Sequence, residues 1–243
     1  MSSMIPRRVA MTAVALLGVA LRASSAAAEM GPCAPADFDL LCGSGNGAAR
    51  VIVKTISPSR RLAFAWRLAD RPPNKPDEND PNLENLIVRL EDGSVLAKSH
   101  GSYWDLSTKI AKAYLMTAWS PDSRLLVKVE RRAEFASAEL FAFAENDASI
   151  GPFDLVKVIE PAVRAKMGAK DAGNSVLVFA AHPAMTINDQ GLLQAVVFTR
   201  REDATDGPTY DVTVQVKRAV DSLDAKVVSV TPRAGTSISI IVH

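Results

Sequence analysis

The sequence predicts a mostly β protein, built from repeated antiparallel sheets with one short helix. Three observations carry that prediction. The apolar runs are short, roughly four to eight residues, and are bounded by Gly, Pro, Asn, Asp and Ser. Tyr210 to Val216 alternates apolar and polar residues in the pattern of a half-buried strand. Two segments match in order, Ile56-Ser57-Pro58-Ser59-Arg60-Arg61-Leu62-Ala63-Phe64 and Trp119-Ser120-Pro121-Asp122-Ser123-Arg124-Leu125-Leu126-Val127, with Ser57 and Ser120 63 residues apart. Self-similarity at fixed order is the mark of a repeat architecture.

Residues 29–50 are Gly-, Ala- and Pro-rich and read as a surface arm, with Ala36 to Leu41 as one helical turn after Pro35. Val51-Ile52-Val53 begins a strand. Ser57-Pro58-Ser59-Arg60 is a turn, because Pro presets φ and Ser bonds nearby backbone. Leu62 to Leu68 is the next strand. Residues 70–85 hold four prolines among acids and amides, which removes ladder donors and predicts a loop. Leu86 to Leu90 and Val95 to Lys98 form a hairpin about Glu91-Asp92-Gly93-Ser94. Residues 99–109 are polar, 109–114 fit helix or strand, and Leu115 to Trp119 is extended.

The order then recurs: a turn at Ser120 to Ser123, a strand at Leu125 to Val129 with an exposed Glu130-Arg131-Arg132 tail, and a strand at Ala138 to Phe143. A turn at Glu145 to Asp147 follows, with a returning strand from Phe153 to Ile159. Residues 161–170 are the helix, Pro161 suiting its first position. Val176 to Ala180 is a strand. A third, weaker unit turns at Asn188 to Gly191 and runs along Leu193 to Thr199. Residues 200–208 make a charged loop. Tyr210 to Val216, Val227 to Val230 and Ile238 to Val242 close the chain.

At the Trp119-Ser120-Pro121-Asp122 stretch and its upstream counterpart the chain resembles the W-S-P-D-G β-propeller repeat. That repeat occurs in the periplasmic TolB-type propeller and in the propeller domain of prolyl oligopeptidases. The resemblance implies a propeller-like fold with Trp119 on an inner strand, a tight turn at Asp122-Ser123, and Leu140 to Phe143 as the next strand out. It covers about 57–98 and 119–159. Ser59-Arg60 and Ser123 stand where the family has Asp-Gly and Gly. Closed propellers usually have about four to eight blades; two units are clear here and a third is weaker, so an incomplete ring and a β-sandwich stay open as alternatives.

The first 28 residues read as an export signal. Arg7 and Arg8 form the basic n-region, and Val9 to Leu21 is shorter than the ~20 apolar residues a spanning helix needs. Ala26-Ala27-Ala28 offers a cleavage site before Glu29. Sec and twin-arginine export both accommodate this leader. The expected organisation is therefore a signal peptide at 1–28, an arm at 29–50 and a β-rich repeat domain at 51–243. Residues 1–28 hold Arg7, Arg8 and Arg22 and no acid, so a chain cleaved there carries 25 basic and 27 acidic side chains. That balance releases few counterions and argues against nucleic acid. No later apolar run reaches spanning length, which predicts no membrane span after cleavage and a periplasmic or secreted product. Cys33 and Cys42 are the only cysteines. In an exported chain they are expected to form a disulfide pinning the arm.

Candidate chemistry is sparse. No G-x-S-x-G elbow and no phosphate-cradling glycine motif occurs. No cofactor is expected. Asp77, Glu78, Asp80 and Glu84 are candidates for a hard cation, but they lack the D-x-D-x-D-G register and read as a solvated loop, so no metal site is expected. His182 with a nearby carboxylate is the alternative of an exported hydrolase. His100-Gly101-Ser102-Tyr103-Trp104-Asp105 places two large aromatics in a polar connection, and exposed Tyr and Trp are common contact anchors. The expected binding residues are His100, Tyr103, Trp104 and Asp105. The favoured reading is a binding or scaffold module with a protein or envelope component as partner and no catalytic constellation. A secreted enzyme inhibitor or envelope-stress factor is the further alternative.

Overall fold

The computed structural model describes residues 30–36, 39–74, 80–101, 115–131, 136–168, 175–181, 184–201 and 206–234. Within them the chain is mostly β, in three antiparallel sheets with one α-helix. The first sheet runs β1 (Cys33–Ala36), β2 (Asp39–Cys42), β3 (Ala49–Val51), β4 (Leu62–Leu68), β5 (Leu83–Arg89) and β6 (Val95–Ser99), each strand beside the next. The second holds β7 (Leu115–Trp119), β8 (Leu125–Arg131), β9 (Ala136–Phe143) and β10 (Ser149–Asp154). Helix α1 (Val156–Arg164) follows. The third sheet pairs β11 (Ser175–Phe179) and β12 (Thr186–Ile187) with β13 (Leu192–Arg201), then β14 (Asp206–Arg218) and β15 (Leu223–Pro232).

The sheets stack face on face, because alternate residues of each inner strand are apolar on both sides. Leu62, Phe64, Trp66 and Ile87 of the first sheet pack on Leu126, Phe141 and Phe143 of the second. The second sheet's other face, with Val127, Val129 and Leu140, packs on Leu193, Val197, Val212 and Val214 of the third and on Ile159 and Val163 of α1. Each fully buried side chain of this kind contributes roughly 1.5–3 kcal/mol. The outer face of the first sheet is closed by its own first hairpin. Cys33 N donates to Leu90 O (3.0 Å), and Met30, Cys33 and Leu40 lie over Ala63, Ala65, Leu86 and Val88. The Cys33–Cys42 disulfide ties the two strands of that hairpin.

Three equivalent turns order the stack. In the first, Arg60 N donates to Ser57 O (2.8 Å) and Leu62 N to Ser57 Oγ (3.1 Å). In the second, Ser123 N donates to Ser120 O (2.8 Å) and Leu125 N to Ser120 Oγ (2.9 Å). In the third, Gly191 N donates to Asn188 O (2.9 Å) and Leu192 N to Asn188 Oδ1 (2.8 Å). The fourth residue of each turn has positive φ: Arg60 at 57°, Ser123 at 62° and Gly191 at 75°. The turns also touch in series, Ser59 N donating to Ser123 Oγ (2.9 Å) and Asp122 N to Asp189 Oδ1 (2.8 Å). Strand β12 lies against β7, and β10 against both β6 and β15. The three sheets therefore lie side by side, the second between the first and the third.

Each outer strand carries a bulge. Leu96 is passed over where Ile87 pairs with Ala97 and Val88 with Val95. Val228 is passed over between Thr213–Ser229 and Val214–Val227. In β10 the shift falls between Ile150 and Phe153. Edge bulges discourage pairing with another chain, and the bulge accounts for the 61% exposure of Val228.

Several expectations are corrected. The helical turn at Ala36 to Leu41 falls instead on β1 and β2, because Cys33 to Ala36 pairs with Asp39 to Cys42. The loop expected over 70–85 ends at Asn82, since Leu83 and Glu84 pair with Leu68 and Arg67. The strand expected to Ile159 ends at Asp154. Val156, Ile159 and Val163 fall on one helical face, and Ile159 and Val163 are buried. Pro161 thus lies inside α1 rather than at its start, where it removes the backbone bond to Lys157. Glu130 is no exposed tail: it is 1% exposed within β8. The charged loop at 200–208 is shorter than expected, since β13 reaches Arg201 and β14 begins at Asp206.

Candidate functional site

The second sheet turns charged side chains inward. Lys128 and Glu130 alternate with Leu126 along β8, and Glu139 alternates with Phe141 along β9. Leu126 and Phe141 face the first sheet, so the period of two puts all three charges on that face as well. Lys128 is completely buried and Glu139 is 6% exposed. Lys128 Nζ lies 3.3 Å from Glu139 Oε2 and 3.7 Å from Glu130 Oε2.

The end of β6 closes over this group. His100 Nδ1 donates to Glu139 Oε1 (2.6 Å), and Ser99 Oγ donates to Glu139 Oε2 (2.7 Å). Lys128 Nζ donates to His100 O (2.5 Å), and Asn85 Nδ2 donates to Gly101 O. Gly101 stands at φ +118°, and a side chain there would collide with the Glu130 carboxylate. Only glycine brings the backbone that close. The root of the segment that begins at His100 is thus held by side chains from both sheets.

Burial pushes the Lys128 ammonium below its usual value, against the pull of Glu139 and Glu130. Burial also acts upward on Glu139, but Lys128 and the hydrogen bonds from Ser99 and His100 outweigh it, so this carboxyl sits below its usual range. Both values fall, for different reasons: the ammonium has lost all contact with water, whereas the carboxylate keeps donors from Lys128, Ser99 and His100.

Of the residues singled out in the sequence, His100 joins this cluster with its ring 83% exposed. Tyr103, Trp104 and Asp105 lie outside the described residues, as do His182 and His243. The imidazole and the Ser99 hydroxyl both address the Glu139 carboxylate, so this serine is not placed as a nucleophile activated by the ring. Asp80 and Glu84, two of the carboxylates weighed for a cation, are held by cations of the protein itself: Asp80 by Arg71, and Glu84 by Arg67 (2.6 Å) and Lys98. Asp77 and Glu78 lie outside the described residues. Lys128, Glu130 and Glu139 were missed by sequence reasoning. Their signal was phase: Lys128 and Glu139 stand two residues from Leu126 and Phe141, and Glu130 four from Leu126, all in step with the core face.

A polar cavity of about 170 Å³ lies at the opposite end of the strands, between the first two turns. Its charges are matched internally. Asp147 binds Arg61 (2.6 Å) and Arg89 (2.8 Å), and Arg124 binds Glu145 (2.9 Å).

No family model matches the chain, and no curated protein or solved structure matches it either.

Proposed function

We propose that the protein is an exported binding or scaffold module of propeller-like repeats, and that its contact surface is the loop-bearing end at His100. The supporting observation is the anchoring of that end. The His100 and Gly101 carbonyls are tied to buried Lys128 and Asn85, so the segment leading to Tyr103, Trp104 and Asp105 starts from a rigid base. Loops on a rigid scaffold commonly carry recognition. Export is supported by the apolar leader and by the Cys33–Cys42 disulfide. The partner is a protein or another component of the envelope.

A photo-crosslinking amino acid placed at Tyr103 or Trp104 in the full chain, expressed with its leader, tests both parts. The mature protein begins at Glu29, and a discrete crosslinked species forms from these sites and not from Ser59 at the far end. Adducts only from Ser59 overturn the assigned surface. Turnover of an ester or peptide that disappears in His182→Ala replaces the binding reading with the hydrolase. An adduct to an envelope enzyme whose activity falls on binding identifies the module as an inhibitor.

A further inference from the structure

Three buried side-chain polar atoms among the described residues have no hydrogen-bond partner: Trp66 Nε1, Asn85 Oδ1 and Ser137 Oγ. Buried polar groups are almost always paired, so each such orphan calls for an explanation. These three are not scattered. Trp66 and Asn85 are direct cross-strand partners on β4 and β5, which places them on one face. Trp66 belongs to the core shared with the second sheet, and Asn85 is two residues from Ile87 of that core. Ser137 is the cross-strand partner of Glu130, hence on the face of the second sheet that meets the first. All three stand in the same inter-sheet space, at the end closed by Ser99, His100 and Gly101.

Their chemistry is complementary rather than random. An indole N–H only donates, an amide oxygen only accepts, and a hydroxyl does either. The Asn85 assignment is fixed by its other atom: Nδ2 faces the Gly101 carbonyl, which accepts and cannot donate, so the acceptor left over is Oδ1. The charges nearby are engaged with one another, Lys128 with Glu139 and Glu130, and Glu139 with Ser99 and His100. Among the described residues, what the site has left to offer is one neutral donor, one neutral acceptor and one hydroxyl. A carboxamide or peptide unit has the matching pair, a C=O for Trp66 Nε1 and an N–H for Asn85 Oδ1.

We propose that the polar end of this inter-sheet space binds a neutral amide, an Asn or Gln side chain or a peptide unit of the partner, between Trp66 and Asn85. The proposal deepens the contact-surface reading and rests on it for the source of the amide, but not for the site itself.

The test uses the full mature chain with its disulfide intact, labelled with ¹⁵N, and N-acetylglycinamide as probe. The Trp66 indole N–H is assigned with Trp66→Phe. The expected result is a saturable shift of that resonance and of the Asn85 side-chain amide, with slower exchange of the indole proton with solvent. Sodium acetate and methylammonium, each lacking one half of the amide pair, bind at least about tenfold more weakly, as expected of a site built for paired hydrogen bonds. Asn85→Leu abolishes the shift. Should that variant not fold, Ser137→Ala serves instead: it removes an orphan hydroxyl at a half-buried position, so it weakens amide binding several-fold while the melting temperature holds or rises.

No shift with the amide, equal shifts with all three probes, or a long-lived bound water at Trp66 Nε1 that the amide does not displace overturns the proposal. The two readings fail separately. Amide binding without crosslinks from Tyr103 or Trp104 keeps the site and removes the partner surface, and crosslinks without amide binding do the reverse.

Discussion

Lys128→Met is the most informative single change, because it alters charge in a buried place while keeping an unbranched apolar stem. In the native protein the ammonium has 0% exposure and lies 3.3 Å from Glu139 and 3.7 Å from Glu130. At an effective dielectric of about 20, each contact has a gross attraction of ~5 kcal/mol. Desolvation of the ions offsets most of that, so the net worth of the cluster is small. Removing one partner is different, since it leaves carboxylates buried without their cation, and such breaks cost about 3–5 kcal/mol. That is the loss expected for Lys128→Met in urea unfolding at pH 7. The pH dependence gives the sharper test. Glu139 is held below its usual value in the native fold. In the wild type it therefore contributes stability that is present above its unfolded value and lost as pH falls through its folded value. In the variant the main support of that carboxylate is gone, and only the bonds from Ser99 and His100 are left against the upward push of burial. The native carboxylate is then less favoured over its protonated form, so the variant loses less stability on acidification than the wild type does. The gap between the two proteins should narrow strongly toward pH 3.5. An equal gap at pH 7 and pH 3.5 shows that Lys128 acts only through packing. A loss under about 1 kcal/mol at pH 7, the range of surface pairs, refutes the buried placement.

Three further changes probe the frame. Gly101→Ala forces a Cβ into the Glu130 carboxylate at a φ of +118° and should cost about 1–3 kcal/mol; Gly45→Ala, with open space around it, is the control in the same thermal melts, and equal losses remove the close-approach argument. Ser123→Ala removes the hydroxyl that accepts from Ser59 N (2.9 Å) and should cost about 1–2 kcal/mol; no change by urea titration shows that the contact between turns does not help hold the first two sheets together. Reduction of Cys33–Cys42, or the double change to Ser, should cost roughly 2–3 kcal/mol for so short a loop; hydrogen exchange should report the loss over Ala63, Ala65, Leu86 and Val88, which the hairpin covers, and unchanged protection there means that the hairpin holds without the bond.

Much of the frame was legible in the chain. Leu62 to Leu68 was bounded correctly because all of its residues but Arg67 are apolar and a Ser-Pro turn precedes it. The turns at Ser57 and Ser120 were legible because Ser and Pro each act on backbone within a few residues, and the third at Asn188 because Asn does the work of Ser. The first hairpin was not. Its strands are four residues long, Cys-Ala-Pro-Ala and Asp-Leu-Leu-Cys, and carry no alternation to read. Helix α1 was misplaced because Val156 to Ile159 alternates as a strand would, and the buried face that decides the matter belongs to the third sheet. In the candidate site, His100 was singled out for its company of aromatics, yet the contacts that tie it into the fold come from Glu139 and Lys128, 39 and 28 residues away.

The amino-acid sequence determined what short-range forces determine: β character, the two serine turns and the third at Asn188, the pairing of two cysteines, and the phase of each strand's side chains. The tertiary structure alone decided which of two faces looked at which neighbour. A strand with period two offers both faces equally, and only the stacking of one sheet on another makes Lys128 and Glu139 inward and mutually necessary. Charges at strand positions read as solvated until a second sheet removes the water, and that removal is a property of the assembled layers, which no local run of residues encodes.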